Sequence, residues 1–115
     1  MSVSVQTKLV DPTNATDKEN RQSAVVEGRT LELRTGNING MQYAWTRLMN
    51  AQDGDSIWIN MTTDGGKTWK SFGQRPIKAG GRNYTDALQT NSSSQVMMQA
   101  WTQLTSGKKY NTAAW

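Results

Sequence analysis

A single turn limits this chain more than any other feature. Asp64-Gly65-Gly66 lies between two short strand-like runs, Ile57-Trp58-Ile59-Asn60-Met61 and Lys70-Ser71-Phe72. Glycine takes the positive φ that a tight reversal needs, and an Asp carboxylate accepts backbone N–H groups across it. The two runs therefore fold back on each other as an antiparallel hairpin.

The alternation of that hairpin recurs along the chain. Ser2 to Val10 reads as a strand with Val3, Val5 and Leu9 on one face. Ala24 to Glu27, Thr30 to Arg34, Ser56 to Met61, Tyr84 to Gln89 and Gln95 to Leu104 read the same way. Met41 to Leu48 also fits a helical stripe of Met41, Ala44, Trp45 and Leu48, but its strand neighbours and short length favour a strand. Turn signals fall at Asp11-Pro12, Gly28-Arg29, Gly36 to Gly40, Gln52 to Asp55, Thr90 to Ser94 and Ser106 to Lys109. Residues 13–23 and 73–82 read as loops, and Tyr110 to Trp115 as a tail that must dock if Trp115 is to be buried. About eight short strands at roughly ten-residue spacing predict one all-β domain over 1–115, an antiparallel β-sandwich or small barrel.

Composition narrows the chemistry. Apolar residues make up 35% of 115, while Ser, Thr, Asn and Gln number 41, which predicts a polar surface over a thin core. There is no cysteine, so neither a disulfide nor a thiolate metal site can form. There is no histidine, which removes the commonest general base and the commonest zinc ligand. Carboxylates remain: Asp53 and Asp55 flank Gly54, and such a pair can hydrolyse glycosides at the right separation. Beside a turn glycine, however, turn chemistry is the expected role. Asp64 lacks the further carboxylates that a calcium site uses. The expectation is a non-enzymatic protein with no cofactor and no metal.

Charge is unevenly placed. Residues 1–64 carry six basic and eight acidic groups, whereas residues 65–115 carry seven basic and one acidic. Lys67, Lys70, Arg75, Lys78 and Arg82 form either a solvated stretch or an anion-facing patch. No recognition helix or RNA-binding signature accompanies them, so a nucleic-acid partner is not expected. No apolar run approaches the roughly 18 residues of a membrane span. Met1 to Val10 lacks the apolar core of a signal peptide, which predicts a soluble protein that is cytoplasmic or released without a classical signal.

The spacing Thr62-x-Asp64-x-Gly66-x-Thr68-Trp69 resembles an Asp-box, a structural hairpin of sialidases, sorting receptors and other β-proteins. The resemblance implies that Thr62, Asp64, Gly66, Thr68 and Trp69 build the hairpin and that Trp69 packs on it. A wider resemblance spans roughly residues 8–101, through Asp11-Pro12, Leu31-Glu32-Leu33-Arg34, Ala44-Trp45-Thr46-Arg47, Asn50-Ala51 with Gly54-Asp55, the turn itself, and Tyr84-Thr85. This order is similar to a family of small secreted bacterial proteins of unknown function, found in actinobacteria and bacilli. That family carries paired cysteines where this chain has residues such as Ala15, Met41 and Ala100. The resemblance implies an all-β fold and no activity to transfer.

The tryptophans carry the functional expectation. Trp45 shares a face with Met41 and Tyr43 and is expected in the core. Trp58 and Trp101 lie opposite the apolar faces of their strands, with Asn60 beside one and Gln99 and Gln103 beside the other. Indole stacks on the C–H face of a sugar and amides match its hydroxyls. The expected function is therefore lectin-like glycan binding through Trp101, Gln99, Gln103, Trp58 and Asn60, with Arg75 and Arg82 available to an acidic ligand. A homo-oligomer would add avidity. The competing expectation is a self-assembling, effector or inhibitor protein that uses the same rings as protein-interface anchors.

Overall fold

The computed structural model describes residues 3–115. Met1 and Ser2, with which the first expected strand and the signal-peptide reading begin, lie outside the described residues. Eight strands follow one another: β1 (Thr16–Val26), β2 (Arg29–Ile38), β3 (Met41–Met49), β4 (Ser56–Thr62), β5 (Lys70–Pro76), β6 (Leu88–Gln89), β7 (Met97–Gln103) and β8 (Lys109–Asn111). They form two four-stranded sheets, ordered β1-β2-β3-β6 and β5-β4-β7-β8. Every ladder is antiparallel. The result is an all-β sandwich. Among the described residues no helix is long and apolar enough to cross a membrane.

Local chemistry explains the first sheet. β1 and β2 are joined by Glu27-Gly28, with φ of 48° and 81°, and β2 and β3 by Asn39-Gly40, with φ of 51° and 78°. Two-residue loops with both φ positive twist in the sense of the strands they join. Inward residues alternate from there. Leu31 and Leu33 of β2 and Ala44 and Leu48 of β3 share one buried cluster with Ile57 and Ile59 of β4 and Met98 and Ala100 of β7. Threonines complete this thin core, and each hydroxyl has a partner. Thr46 Oγ1 donates to the Trp58 carbonyl at 2.8 Å, linking the two sheets, and Thr102 Oγ1 donates to the Ser56 carbonyl at 2.8 Å.

Several boundaries differ from expectation. Residues 13–23, expected as a loop, contain the first half of β1. It is an edge strand whose first five residues are exposed and polar, so it has no apolar face to signal it, and its charges discourage edge-to-edge pairing. The expected strand to Val10 is not in a sheet. Val10 makes one bridge to Ala87, and the Val3 N–H donates to the Thr63 carbonyl at 2.8 Å. Val3, Val5 and Leu9 still pack against the core. β2 runs through Gly36 to Ile38, and β5 continues to Pro76, both beyond the expected ends. Tyr84 to Gln89 shrinks to β6 with single bridges at Tyr84 and Ala87. The tail does dock: Trp115 and Met98 exchange backbone hydrogen bonds of 2.9 and 2.8 Å, and Trp115 stays 38% exposed under the Arg21 guanidinium.

Candidate functional site

The outward face of the second sheet gathers most of the expected site. The β4–β7 register sets Trp58 opposite Trp101, Asn60 opposite Gln99, and Ser56 opposite Gln103. Directly opposed side chains on one face touch. The two indoles stack, with centroids 5.9 Å apart and planes 17° from parallel. Trp101 is half-buried, whereas Trp58 is only 8% exposed. Open indole surface therefore belongs mainly to Trp101. Its Nε1–H donates to Gln99 Oε1 at 3.1 Å, which orients the amide beside the ring. Gln103 donates from Nε2 to the Gly107 carbonyl, and Asn60 Oδ1 accepts from Ser71 Oγ at 2.7 Å.

A bulge in β5 shapes the neighbouring groove. Ile57 pairs with Arg75 and Ile59 with Phe72, so Gly73 and Gln74 both stand opposite Trp58. Gly73 has φ of 66°, a conformation that suits glycine in a bulge. The bulge brings Gln74 and Arg75 to the rim of a groove of about 550 Å³ whose wall includes Trp58, Ser71, Gln103 and Lys109. Arg75 thus joins the expected constellation. Lys109, which sequence reasoning overlooked, comes with it because β8 pairs it with Gln103. Ser71 and Gln74 were also overlooked, and the glycine inside Phe72-Gly73-Gln74 was their only signal.

Arg82 lies elsewhere. Its guanidinium covers the Tyr84 ring at 4.4 Å and pairs with Asp86 at 2.8 Å. The basic stretch from Lys67 to Arg82 is likewise split: Lys70 lines a groove with Val3 and Phe72, and Arg75 lines the one beside Trp58.

The β4–β5 loop is built around Asp64. Its Oδ1 accepts from Thr62 Oγ1 at 2.8 Å and from the Thr68 N–H at 2.9 Å, and its Oδ2 accepts from Thr68 Oγ1 at 2.6 Å. The Gly66 N–H donates to Thr62 Oγ1 at 2.9 Å. These bonds, led by the Thr68 hydroxyl, hold the Asp64 pKa down at about 2. Trp69 is half-buried at the end of the loop.

Asp53 and Asp55 do not act as a pair. Asp53 accepts from the Ala79 N–H. Asp55 is fully buried and receives four donors: Arg29 Nε and Nη2 at 2.9 and 3.0 Å, the Gln52 N–H at 2.8 Å and the Thr105 N–H at 2.9 Å. Burial pushes its pKa up, but the Arg29 bond and the two N–H groups together outweigh that and leave it below the ordinary value. Such a carboxylate is committed to holding the fold. No group of three or more metal-ligating side chains converges among the described residues.

Compared with family models, curated proteins and solved structures, the chain matches none. The chemistry of its faces is read from their own geometry.

Trp45 corrects an expectation. It is buried, 3% exposed, but it does not belong to the core cluster. It projects from the outer face of the first sheet, opposite Arg34 and two residues from Arg47.

Proposed function

We propose that this protein is a non-catalytic, lectin-like module that binds an acidic glycan on the outer face of its second sheet. The observation that carries the reading is the Trp58–Trp101 stack, flanked by Gln99, Gln103 and Asn60 beside an open groove. Trp58 stacks against one face of Trp101, so a sugar meets an indole already fixed in place, which lowers the ordering cost of binding. The Trp101 N–H is satisfied by Gln99, so the ring offers an apolar face without an unpaired donor. Arg75 and Lys109 line the groove and form no ion pair among the described residues, which favours a sulfated or uronic-acid glycan over a neutral one. Presentation of several such faces by a homo-oligomer would raise avidity.

A glycan array with neutral, sulfated and uronic-acid members tests this. The expected result is binding to acidic members, weakened about tenfold by Trp101→Ala and by added salt. An empty array, together with sedimentation showing an oligomer that dissociates on Trp101→Ala, would replace the glycan with a protein partner on the same rings.

A further inference from the structure

The outer face of the first sheet carries its own concentration of unspent positive charge. A groove of about 330 Å³ lies there, with Trp45, Tyr84 and Met49 as its apolar surfaces and Lys18, Arg34 and Arg47 as its cations. No carboxylate lines it. Among the described residues the carboxylate bonded to these cations is Glu32, only 6% exposed, while Asp11 is bonded to the lining residue Thr13. Both Glu32 oxygens are taken: Oε1 accepts from Arg47 Nε at 2.5 Å, and Oε2 from Asn20 Nδ2 at 2.6 Å. Arg34 donates instead from Nη1 to the side-chain amide oxygen Oδ1 of Asn20, and Lys18 donates to the backbone carbonyl oxygen of Thr13 at 2.9 Å. Three cations are thus held by neighbours that include one carboxylate.

We propose that this groove binds a small oxyanion (phosphate, sulfate or carboxylate) carried on a flat apolar ring. The Nη2 group of Arg34 and both Nη groups of Arg47 make no bond to another described residue. Two guanidinium edges with N–H groups to spare suit the several acceptor oxygens of an oxyanion, which they can bind in bidentate fashion. Lys18 adds a third charge at the groove wall. Tyr84 is fixed as a wall, since its hydroxyl bonds Thr13 Oγ1 at 2.5 Å and Arg82 covers its ring. Trp45 is shielded from all but the groove, so it serves as a floor rather than a stacking plate. Burial and the Arg47 charge both lower the Arg34 pKa. The Glu32 charge offsets part of that repulsion, and an anion between the two guanidinium groups would offset more of it. Sequence reasoning placed surplus positive charge in the other half of the chain, because Lys18, Arg34 and Arg47 stand far apart in sequence among acidic neighbours.

This site is on the opposite sheet from the proposed glycan face and does not depend on it. NMR titration at low ionic strength, following the Trp45 indole N–H and the arginine Nε–H signals, tests it with three probes. Phenyl phosphate is expected to bind, inorganic phosphate to bind more weakly at the same signals, and phenol to leave them unmoved. Arg34→Gln and Lys18→Gln are each expected to weaken phenyl phosphate about tenfold, and Trp101→Ala to leave it unchanged. Arg47 is spared because Glu32 depends on it. Absence of binding by phenyl phosphate, or equal binding by wild type and a folded Arg34→Gln variant, overturns the proposal. Equal affinity for phosphate and phenyl phosphate removes the ring and overturns that part of it.

Discussion

A Cβ at Gly36 would stand 2.9 Å from Trp45 Cη2, 3.0 Å from Ala15 Cβ and 3.0 Å from the Thr16 carbonyl oxygen. Gly36 has no positive φ, so what position 36 demands is space. The indole of Trp45 lies across it, and the chain entering β1 passes equally close to the same point. Gly36→Ala is expected to cost about 1–3 kcal/mol by overpacking, read as a lower urea midpoint. In a Trp45→Leu background the ring carbon is gone and the same change should cost less, with Ala15 and Thr16 still resisting. Equal costs in the two backgrounds would show that the indole does not set the requirement. The burial of Trp45 was legible in the sequence, but its face was not. Met41, Tyr43 and Trp45 are as apolar as Ala44 and Leu48, so a period of two cannot say which set points inward. Only the partner sheet decides that.

At the level of an element, the β4–β5 loop was the most legible part of the chain, because its bonds run between residues two to four apart. β1 was the least legible, since its first half earns its place only by pairing with β2. The stacked face was half legible: alternation put Trp58 and Trp101 outward, while the bulge that adds Gln74 had to come from the fold. The loop also has a pH signature. Asp64 titrates near 2 when folded, against an ordinary value of 3.8. The unfolded chain therefore binds more protons in that window, and stability rises with pH across it. The Asp64 contribution is complete above about pH 4 and lost as pH falls through about 2. Asp11 and Asp55 are also lowered and push the same way, so the test is a difference. Melts followed by circular dichroism should show Asp64→Asn below wild type at pH 6, with the gap closing towards pH 2. A gap that stays constant with pH would mean that the loop does not depend on the ionised carboxylate.

Across the whole molecule, one end of the sandwich is tied by Asp55. Its donors come from three separate places: Arg29 at the start of β2 in the first sheet, Gln52 in the β3–β4 loop, and Thr105 in the β7–β8 turn of the second sheet. Arg29 is itself 12% exposed in its side chain, so the ion pair has little competition from water. Asp55→Asn keeps the shape but removes the charge and one of the acceptor sites, leaving the guanidinium unpaired. That change is expected to destabilise by about 3–5 kcal/mol, as a lower denaturant midpoint with an unchanged slope. Replacing both partners, Arg29→Met with Asp55→Leu, removes the buried charge altogether, and paired apolar replacement is often neutral. Here it should recover only part of the loss. The Gln52 and Thr105 N–H groups would still lack an acceptor, at about 1–3 kcal/mol each if they stay buried. Full recovery in the double variant would mean that Asp55 serves Arg29 alone. No recovery would mean that the two backbone N–H groups, and through them the β3–β4 loop and the β7–β8 turn, are what the carboxylate chiefly holds.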